Sequence, residues 1–399
     1  MKSLNFSEQA MKLNSLKEMF LEDFQTGTTK LTKWLLEHVM EEARDRYMCH
    51  EALDDLGERL DYRNGYYRRE LRSKVGLLQN LRVPRTRSAE FFPEVLDKYG
   101  RVCGIVNEGI SQMYLRGVST SNVGPVLQAL LGYEVSPSYV STVNKGLDKL
   151  VREFQMARLE DDVVFLFLDG IYLKHRDLLG SRRRPVLAAY GIRANGQRQF
   201  IHFRIAKSES EQEWTKFLRE LYSKGLEGKA LKLVISDGAA GLLLALDSIY
   251  PWVKHQRCWV HKMRNLSGKI KKCHEQECLA GARLIYRAGS RKCATGAFKR
   301  WKNRWQRIYP KVVRWLEQDL DALLGFIDLP ESLHVLLRTT NVIERGFGEV
   351  RRRTKVMGCL PNEKSIDRIV YARLHMLNHR WAHAHRFIKA MTTEEKIAA

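Results

Sequence analysis

The sequence predicts a multidomain α/β protein: one mixed-sheet core, preceded by helical segments and interrupted by a helical stretch. Three observations predict it. A chain of 399 residues with 44% hydrophobic content can bury more than one core. Between about 159 and 262, short apolar runs of strand character alternate with amphipathic helices: three strands, a helix, then strand and helix in turn, the order of a mixed sheet. On most of either side the apolar spacing lengthens to that of a helix. Segments 1–60, 61–100, 101–158, 159–262, 263–335 and 336–399 follow from these changes of rhythm.

Residues 1–60 read as amphipathic helices, with Leu31, Trp34, Leu35, His38 and Val39 at helical spacing, suited to a cap or a dimerisation arm. From Tyr62 to Arg87 the runs shorten to strands such as "LLQNLRV", closed by Pro84. Arg63, Arg68, Arg69, Arg72, Arg82, Arg85 and Arg87 lace this stretch, so a basic hairpin-like segment touching DNA phosphates is expected. Residues 105–152 show three helical stretches separated by "GVSTS" and "GYEVSPS". In the third, Ser136 suits an N-cap and Pro137 the first helical position, with Val140, Val143, Leu147 and Leu150 as an apolar stripe. Short helices joined by tight turns are what a helix-turn-helix DNA-binding domain requires.

In the core, "VVFLFLDG" reads as a buried strand ending in Asp169, followed by strands "PVLAAYGIR" and "QFIHFRIA" and the helix "EQEWTKFLRELYSKG". "LKLVISDG" is a fourth strand ending in Asp237; the helical "AAGLLLALDSIY" and a fifth strand, "HQRCWV", follow. Both aspartates are expected where strands leave the sheet, the usual place for sites in open α/β folds. From 262 to 335 the strand signal vanishes. Phe298, Trp301, Trp305 and Ile308 share one helical face there, as a core rather than a base-stacking platform, and Lys or Arg occupy the other. Pro330 precedes the final segment, which ends in the helical "SIDRIVYARLHMLNHRW".

Charge narrows the partner. With 68 Lys and Arg against 46 Asp and Glu, the formal net charge is +22, which calls for a polyanion, nucleic acid first. A membrane is the weaker candidate, because "VVFLFL" is the longest apolar run and the N-terminus has no signal-peptide pattern. Seven scattered cysteines argue against a disulfide framework and for a reducing cytoplasm, where a DNA-binding protein would associate with the nucleoid.

Two aspartates at adjacent strand exits and a glutamate from a helix are what a two-metal phosphoryl-transfer site needs, since Mg²⁺ is a hard ion that takes carboxylate oxygens. The candidates are Asp169, Asp237 and Glu344. On a helical wheel of "TTNVIERGFGEVRRR", Ile343, Phe347 and Val350 make the core face, while Asn341, Glu344, Gly348, Arg351 and Lys355 fall on a neighbouring stripe and Glu349 lies well round from it. Gly346 and Gly348 weaken a helix, for which a close backbone approach to a bulky ligand would compensate. Arg345, Arg351, Arg352 and Lys355 are expected to meet DNA, Arg351 holding a phosphate near the metals. "CWVHKMRN" puts Cys258 and His261 at Cys-x-x-His spacing. With Cys273, His274 and Cys278 a zinc site can be drawn, but a structural pair supporting the active site is the preferred reading.

These residues resemble the Mutator-type transposases of bacterial insertion sequences. The resemblance lies in "FLDGIYLKHR", "VLAAYGIRANGQRQF", "SESEQEWTKFLRELYSKGL", "LVISDGAAGLLLAL", "HQRCWVHKMRNL" and "TTNVIERGFGEVRRRTKVMG", in that order, and extends to "YYRRELRSKVGLLQNLRVPRTR" and "YLRGVSTSNVGPVLQALLGYEVSPSYVS". It implies a ribonuclease H-like core with an all-helical insertion before the third carboxylate, and an acidic triad falling on Asp169, Asp237 and Glu344. It also implies two Mg²⁺ ions, with Mn²⁺ as substitute, cleavage at terminal inverted repeats and joining to target DNA. The family's Cys-x-x-His falls on Cys258 and His261, and Arg351 stands seven residues after the glutamate. A homodimer is expected, because two DNA ends must be brought together. A repair or structure-selective nuclease on that fold would cut without joining; a non-catalytic DNA-binding regulator would leave the three carboxylates unexplained.

Overall fold

A computed structural model describes residues 23–50, 60–177 and 180–382, and the chain divides into two compact units, 1–146 and 147–399. The parts of the N-terminal helical segment at 1–22 and 51–59, and the tail from 383, lie outside the described residues.

In the first unit, helix α1 (Phe24–His50) lies on a hairpin of β1 (Arg63–Ser73) and β2 (Gly76–Thr86). The predicted helix is present, but its buried side differs from the one expected. Trp34, Leu35 and Val39 are exposed, while Leu36, Met40, Arg44 and Met48, a row spaced by four, turn inward, with Met40 and Leu36 packed on Leu71, Leu78, Leu81 and Val83. Pro84 does not close its strand. It pairs opposite Tyr66 and β2 runs on to Thr86, which proline permits in a two-stranded ribbon. Three short helices follow, α2 (Gly104–Arg116), α3 (Thr120–Leu131) and α4 (Pro137–Lys145), around a core of Val106, Ile110, Val123, Leu127 and Val140. Ser136 caps α4 by accepting from the Tyr139 N–H, with Pro137 at the first turn. The third predicted helix is broken at Gly146. Its continuation α5 (Leu147–Met156), which belongs to the second unit, starts a new face, burying Leu147 and Val151 and leaving Leu150 exposed.

The second unit is built on a five-stranded mixed sheet. Its strands are β3 (Val163–Asp177), β4 (Gly180–Arg193), β5 (Arg198–Ile205), β6 (Leu233–Ser236) and β7 (Lys254–Arg257), in the order β5-β4-β3-β6-β7. The first three strands in sequence are antiparallel neighbours; β6 runs parallel to β3 and β7 parallel to β6. Helices α6 (Glu211–Ser223) and α7 (Ala240–Ile249) cover one face, where Trp214, Phe217, Leu221 and Leu246 close over Leu166, Leu168 and Val234. A wholly helical stretch then runs through α8 (Trp259–Ser267), α9 (Lys272–Tyr286), α10 (Arg291–Trp305), α11 (Pro310–Gln318), α12 (Leu320–Leu323) and α13 (Glu331–Leu337). Phe298, Trp301 and Trp305 are buried in it, as expected, whereas α10 ends at Trp305 and leaves Ile308 exposed.

Helices α14 (Asn341–Met357) and α15 (Glu363–Ala382) return to the sheet, α14 against β3 and α15 against β5. Gly346 is what lets α14 come close, because a Cβ there would stand 2.3 Å from the Phe200 ring. The close approach therefore serves packing against the sheet, while a Cβ at Gly348 would meet open space. Among the described residues no helix is long and apolar enough to cross a membrane.

Candidate active site

Register places the two aspartates side by side. The strand carrying Asp169 does not end there: β3 continues to Asp177, with Asp169 opposite Ala188 of β4. What ends is its parallel neighbour, since the last β3–β6 pair is Phe167 with Ile235 and β6 stops at Ser236. Asp169 and Asp237 each stand two residues past that pair. Alternation along a strand gives them the side of Phe167 and Ile235, opposite to that of Leu166, Leu168 and Val234, which pack under α6 and α7. That is the side on which α14 lies. Its core face is the expected one, with Ile343, Phe347 and Val350 buried and Glu344 half-buried beside them.

The fifth strand ends at Arg257 rather than running through "CWV", and Cys258 becomes the N-cap of α8. From there it ties three elements together. Its N–H donates to the Ser236 carbonyl at 2.7 Å, and its Sγ accepts from both the N–H and the hydroxyl of Thr340, each at 3.2 Å. Thr340 precedes α14, and its carbonyl accepts from the Glu344 N–H at 3.0 Å. His261, one turn into α8, puts Nδ1 3.4 Å from the Thr340 hydroxyl and Nε2 3.3 Å from Glu344 Oε1.

The electrostatics follow from that crowding. Burial pushes the Asp169 carboxyl up to about 7; Asp237 and Glu344 add to the rise, while the Gly170 N–H and His261 oppose it. A hydrogen bond with Cys258, helped by the charges of Asp169 and Glu344, raises His261 to about 9 despite its burial. Burial alone would push the Cys258 thiol up, yet the hydrogen bonds of His261 and Thr340 hold it below the ordinary thiol range. At neutral pH a histidinium thus faces the carboxylates. Among the described residues no three His, Cys, Asp or Glu side chains are placed to grip one metal ion together. The donor set nevertheless suits a hard cation: Asp169 feels the charges of Asp237 and Glu344, and Glu344 Oε1 is buried without a hydrogen-bond partner.

One acid escaped the sequence reading. Glu209, half-buried just before α6, lays its carboxylate over Gly170, where an added Cβ would stand 2.4 Å from Oε1. Burial and then the charge of Asp237 raise its pKa. The signal was the glycine after Asp169, which reads as a turn in sequence but lies within a strand. The other acids in the second unit that draw notice are elsewhere: Glu349 pairs with Arg352.

Arg345, Arg351, Arg352 and Lys355 are all exposed on α14, with Arg351 and Lys355 on the Glu344 stripe. In the first unit, Arg68 and Arg85 are exposed, Arg85 donating to the Asn64 carbonyl at 2.8 Å. Arg82 forms ion pairs with Glu37 and Glu41, Arg69 donates to the Asp97 and Gly100 carbonyls, and Arg72 is half-buried. The zinc alternative does not assemble: Cys273 is exposed, Cys278 is buried, and His274 contacts the Tyr309 hydroxyl at 2.9 Å.

Comparison with known proteins agrees with the expected kinship. A profile of the family described as "Transposase, Mutator family" matches residues 1–384. A transposase for insertion sequence element ISRM5 from Rhizobium meliloti is 34% identical, over 91% of this chain and 90% of its own length. The transposase for IS256 in transposon Tn4001 of Staphylococcus aureus is 32% identical, over 97% and 98% of the two chains. That for IS406 of Burkholderia multivorans is 34% identical, over 90% and 93%.

Proposed function

Since the chain belongs to the Mutator family of transposases, we propose that it binds terminal inverted repeats, cleaves DNA to free a 3′-hydroxyl and joins that hydroxyl to target DNA at Asp169, Asp237 and Glu344. The observation that carries this reading is that Asp169 of β3 stands in register beside Asp237 at the exit of β6 and within electrostatic reach of Glu344 on α14, with Glu344 Oε1 left without a hydrogen bond. The sheet order and the helices between Asp237 and Glu344 support a ribonuclease H-like core with an all-helical insertion. The packed trio α2, α3 and α4 supports a helix-turn-helix domain.

Asp169, Asp237 and Glu344 would hold two Mg²⁺ ions, or Mn²⁺ in their place, which when bound stabilise charge on the attacking and leaving oxygens of an in-line displacement. The chain's own residues prepare for this. Cys258 and Thr340 fix the start of α14 against β6, and so set the distance from Glu344 to the aspartates. His261 places a cation beside Asp169 and opposes the rise in that carboxyl's pKa. Arg351 and Lys355, exposed on the Glu344 stripe, orient a DNA phosphate toward it, with Arg345 and Arg352 beside them. Arg68, Arg69, Arg72, Arg82 and Arg85 give the hairpin its basic character, with Arg68 and Arg85 the freest of them for phosphate. The exposed Trp34, Leu35 and Val39 of α1 suit a contact between two copies, as a homodimer holding two DNA ends requires. Such a protein works in the cytoplasm, on the nucleoid.

The test is Asp169→Asn or Glu344→Gln on DNA carrying the element's terminal repeats, with Mg²⁺. End binding is expected to remain while cleavage and joining are lost, and undiminished nicking by either variant would overturn the triad.

A further inference from the structure

A cleft of about 390 Å³ opens between α8, α9 and the start of α14, within the range of roughly 300 to 1,000 Å³ typical of ligand pockets. It is not the carboxylate site, but it shares a seam with it. Cys258, His261 and Thr340 turn toward Glu344, whereas their neighbours Trp259, Thr339 and Asn341 line the cleft. A ligand in it would sit one helical turn from Glu344.

The lining has two characters. The first is aromatic. Trp259 is fully buried with its indole N–H given to the Leu323 carbonyl, so it backs the cleft wall and leaves Tyr286 as the accessible ring. The Tyr286 ring lies 5.0 Å from it, centre to centre, and the Arg338 guanidinium sits 5.2 Å from the Tyr286 centroid. The indole and phenol rings are tilted at 45° to each other, and the guanidinium lies beside the phenol. The second character is charge: Arg264, Arg283 and Arg338 surround the cleft and no acid lines it. Flat π-faces ringed by guanidinium groups match a ligand that is itself a flat ring joined to phosphates. Arg264 and Arg283 are exposed at the rim, and Asn341 adds an amide able to read a base edge. A paired base cannot enter, because its faces are covered by the stack and its edge by its partner.

We propose that this cleft receives an unpaired nucleotide of the DNA strand being processed, its base against Tyr286 and Arg338 and its phosphates against Arg264 and Arg283. The idea rests on the reading of Glu344 as part of the reacting site. It adds that the DNA is engaged with a base drawn out of the helix beside the reacting phosphate, which fixes the strand in register before chemistry.

The experiment compares two DNA probes on the full chain: a fully paired duplex, and the same duplex with a short single-stranded overhang bearing 2-aminopurine. The overhang is expected to bind more tightly by about five- to a hundred-fold, the spread of one stacked base, and its fluorescence to be quenched. Tyr286→Ala should remove most of that preference and Tyr286→Phe should keep it, with paired-duplex binding the same in both. Arg283→Ala, at an exposed position that carries no risk to folding, should weaken overhang binding and reduce its salt slope by about one. Equal binding of the two probes by the unsubstituted chain, or a preference untouched by Tyr286→Ala, overturns the proposal. Asp169→Asn separates the two readings. Its overhang preference should persist, so a variant that still cleaves sinks the triad and leaves the cleft standing, while loss of cleavage without any overhang preference does the reverse.

Discussion

His261 Nε2 lies 3.3 Å from Glu344 Oε1, an oxygen that is buried and has no hydrogen-bond partner. The contact is electrostatic, and it joins the head of α8 to the head of α14 across the site. Its geometry makes His261 a counter-charge for carboxylates that would otherwise repel.

His261→Gln therefore removes a cation facing Asp169 and Glu344. In metal-free buffer at pH 7 it is expected to lower stability by about 1–3 kcal/mol, the cost of uncompensated buried charge after solvent relaxation. Millimolar Mn²⁺ should narrow the gap if a cation can take over the role. Chemical denaturation with and without Mn²⁺ measures both, and a gap indifferent to Mn²⁺ contradicts the expectation.

The pH dependence of Asp169 has a definite sign. Its folded pKa, about 7, lies above the ordinary value of 3.8, so the folded chain holds the proton longer than the unfolded one. Stability is then undiminished by this group below about pH 4, falls as pH rises toward 7, and stays low above it. Asp169→Asn should thus be more stable than the unsubstituted chain at pH 8, by about 1–3 kcal/mol, with the difference vanishing toward pH 4. Melting curves across that interval without metal check this; a difference constant with pH would contradict it.

Gly346 and Gly348, two residues apart on α14, should respond in opposite directions. Gly346→Ala drives a methyl into the Phe200 ring and is expected to cost about 1–3 kcal/mol. Gly348→Ala meets open space and should stabilise the helix by about 0.5–1 kcal/mol. Denaturant midpoints decide the matter, and DNA titration of Gly348→Ala reports separately whether DNA approaches the backbone there.

Gly170 and Glu209 are expected to behave as a coupled pair. Gly170→Ala displaces the Glu209 carboxylate, the free end of a flexible side chain, and should destabilise by no more than about 1 kcal/mol. Adding Glu209→Ala should recover most of that loss, since the clash is with the side chain that has been removed. A double-mutant cycle with no coupling energy would show that the two do not press on each other.

Much of this site was legible in the chain because its signals are local. The wheel that separates Glu344 from Ile343, Phe347 and Val350 depends only on helical spacing, and burial agrees with it. The apolar run before Asp169 and the one before Asp237 mark strands by composition alone, and the Cys-x-x-His spacing marked Cys258 and His261 as neighbours, which interact in the structure. Where local spacing admitted two answers, it failed. In α1 the row Leu36, Met40, Arg44 and Met48 turns inward instead of Trp34, Leu35 and Val39, because the hairpin beneath, not the helix, selects the buried face.

By itself the sequence determined the kind of protein this is: a mixed sheet between helical segments, a strong positive charge, and the motifs of the Mutator family. Tertiary structure decided the rest. It set Asp169 in mid-strand at the point where β6 stops, brought Glu209 over Gly170, turned Gly346 to packing, and seated His261 between Thr340 and Glu344. The physical reason is that propensity and periodicity act over a few residues, whereas register and the approach of a helix to a sheet are fixed by contacts between segments far apart in the chain.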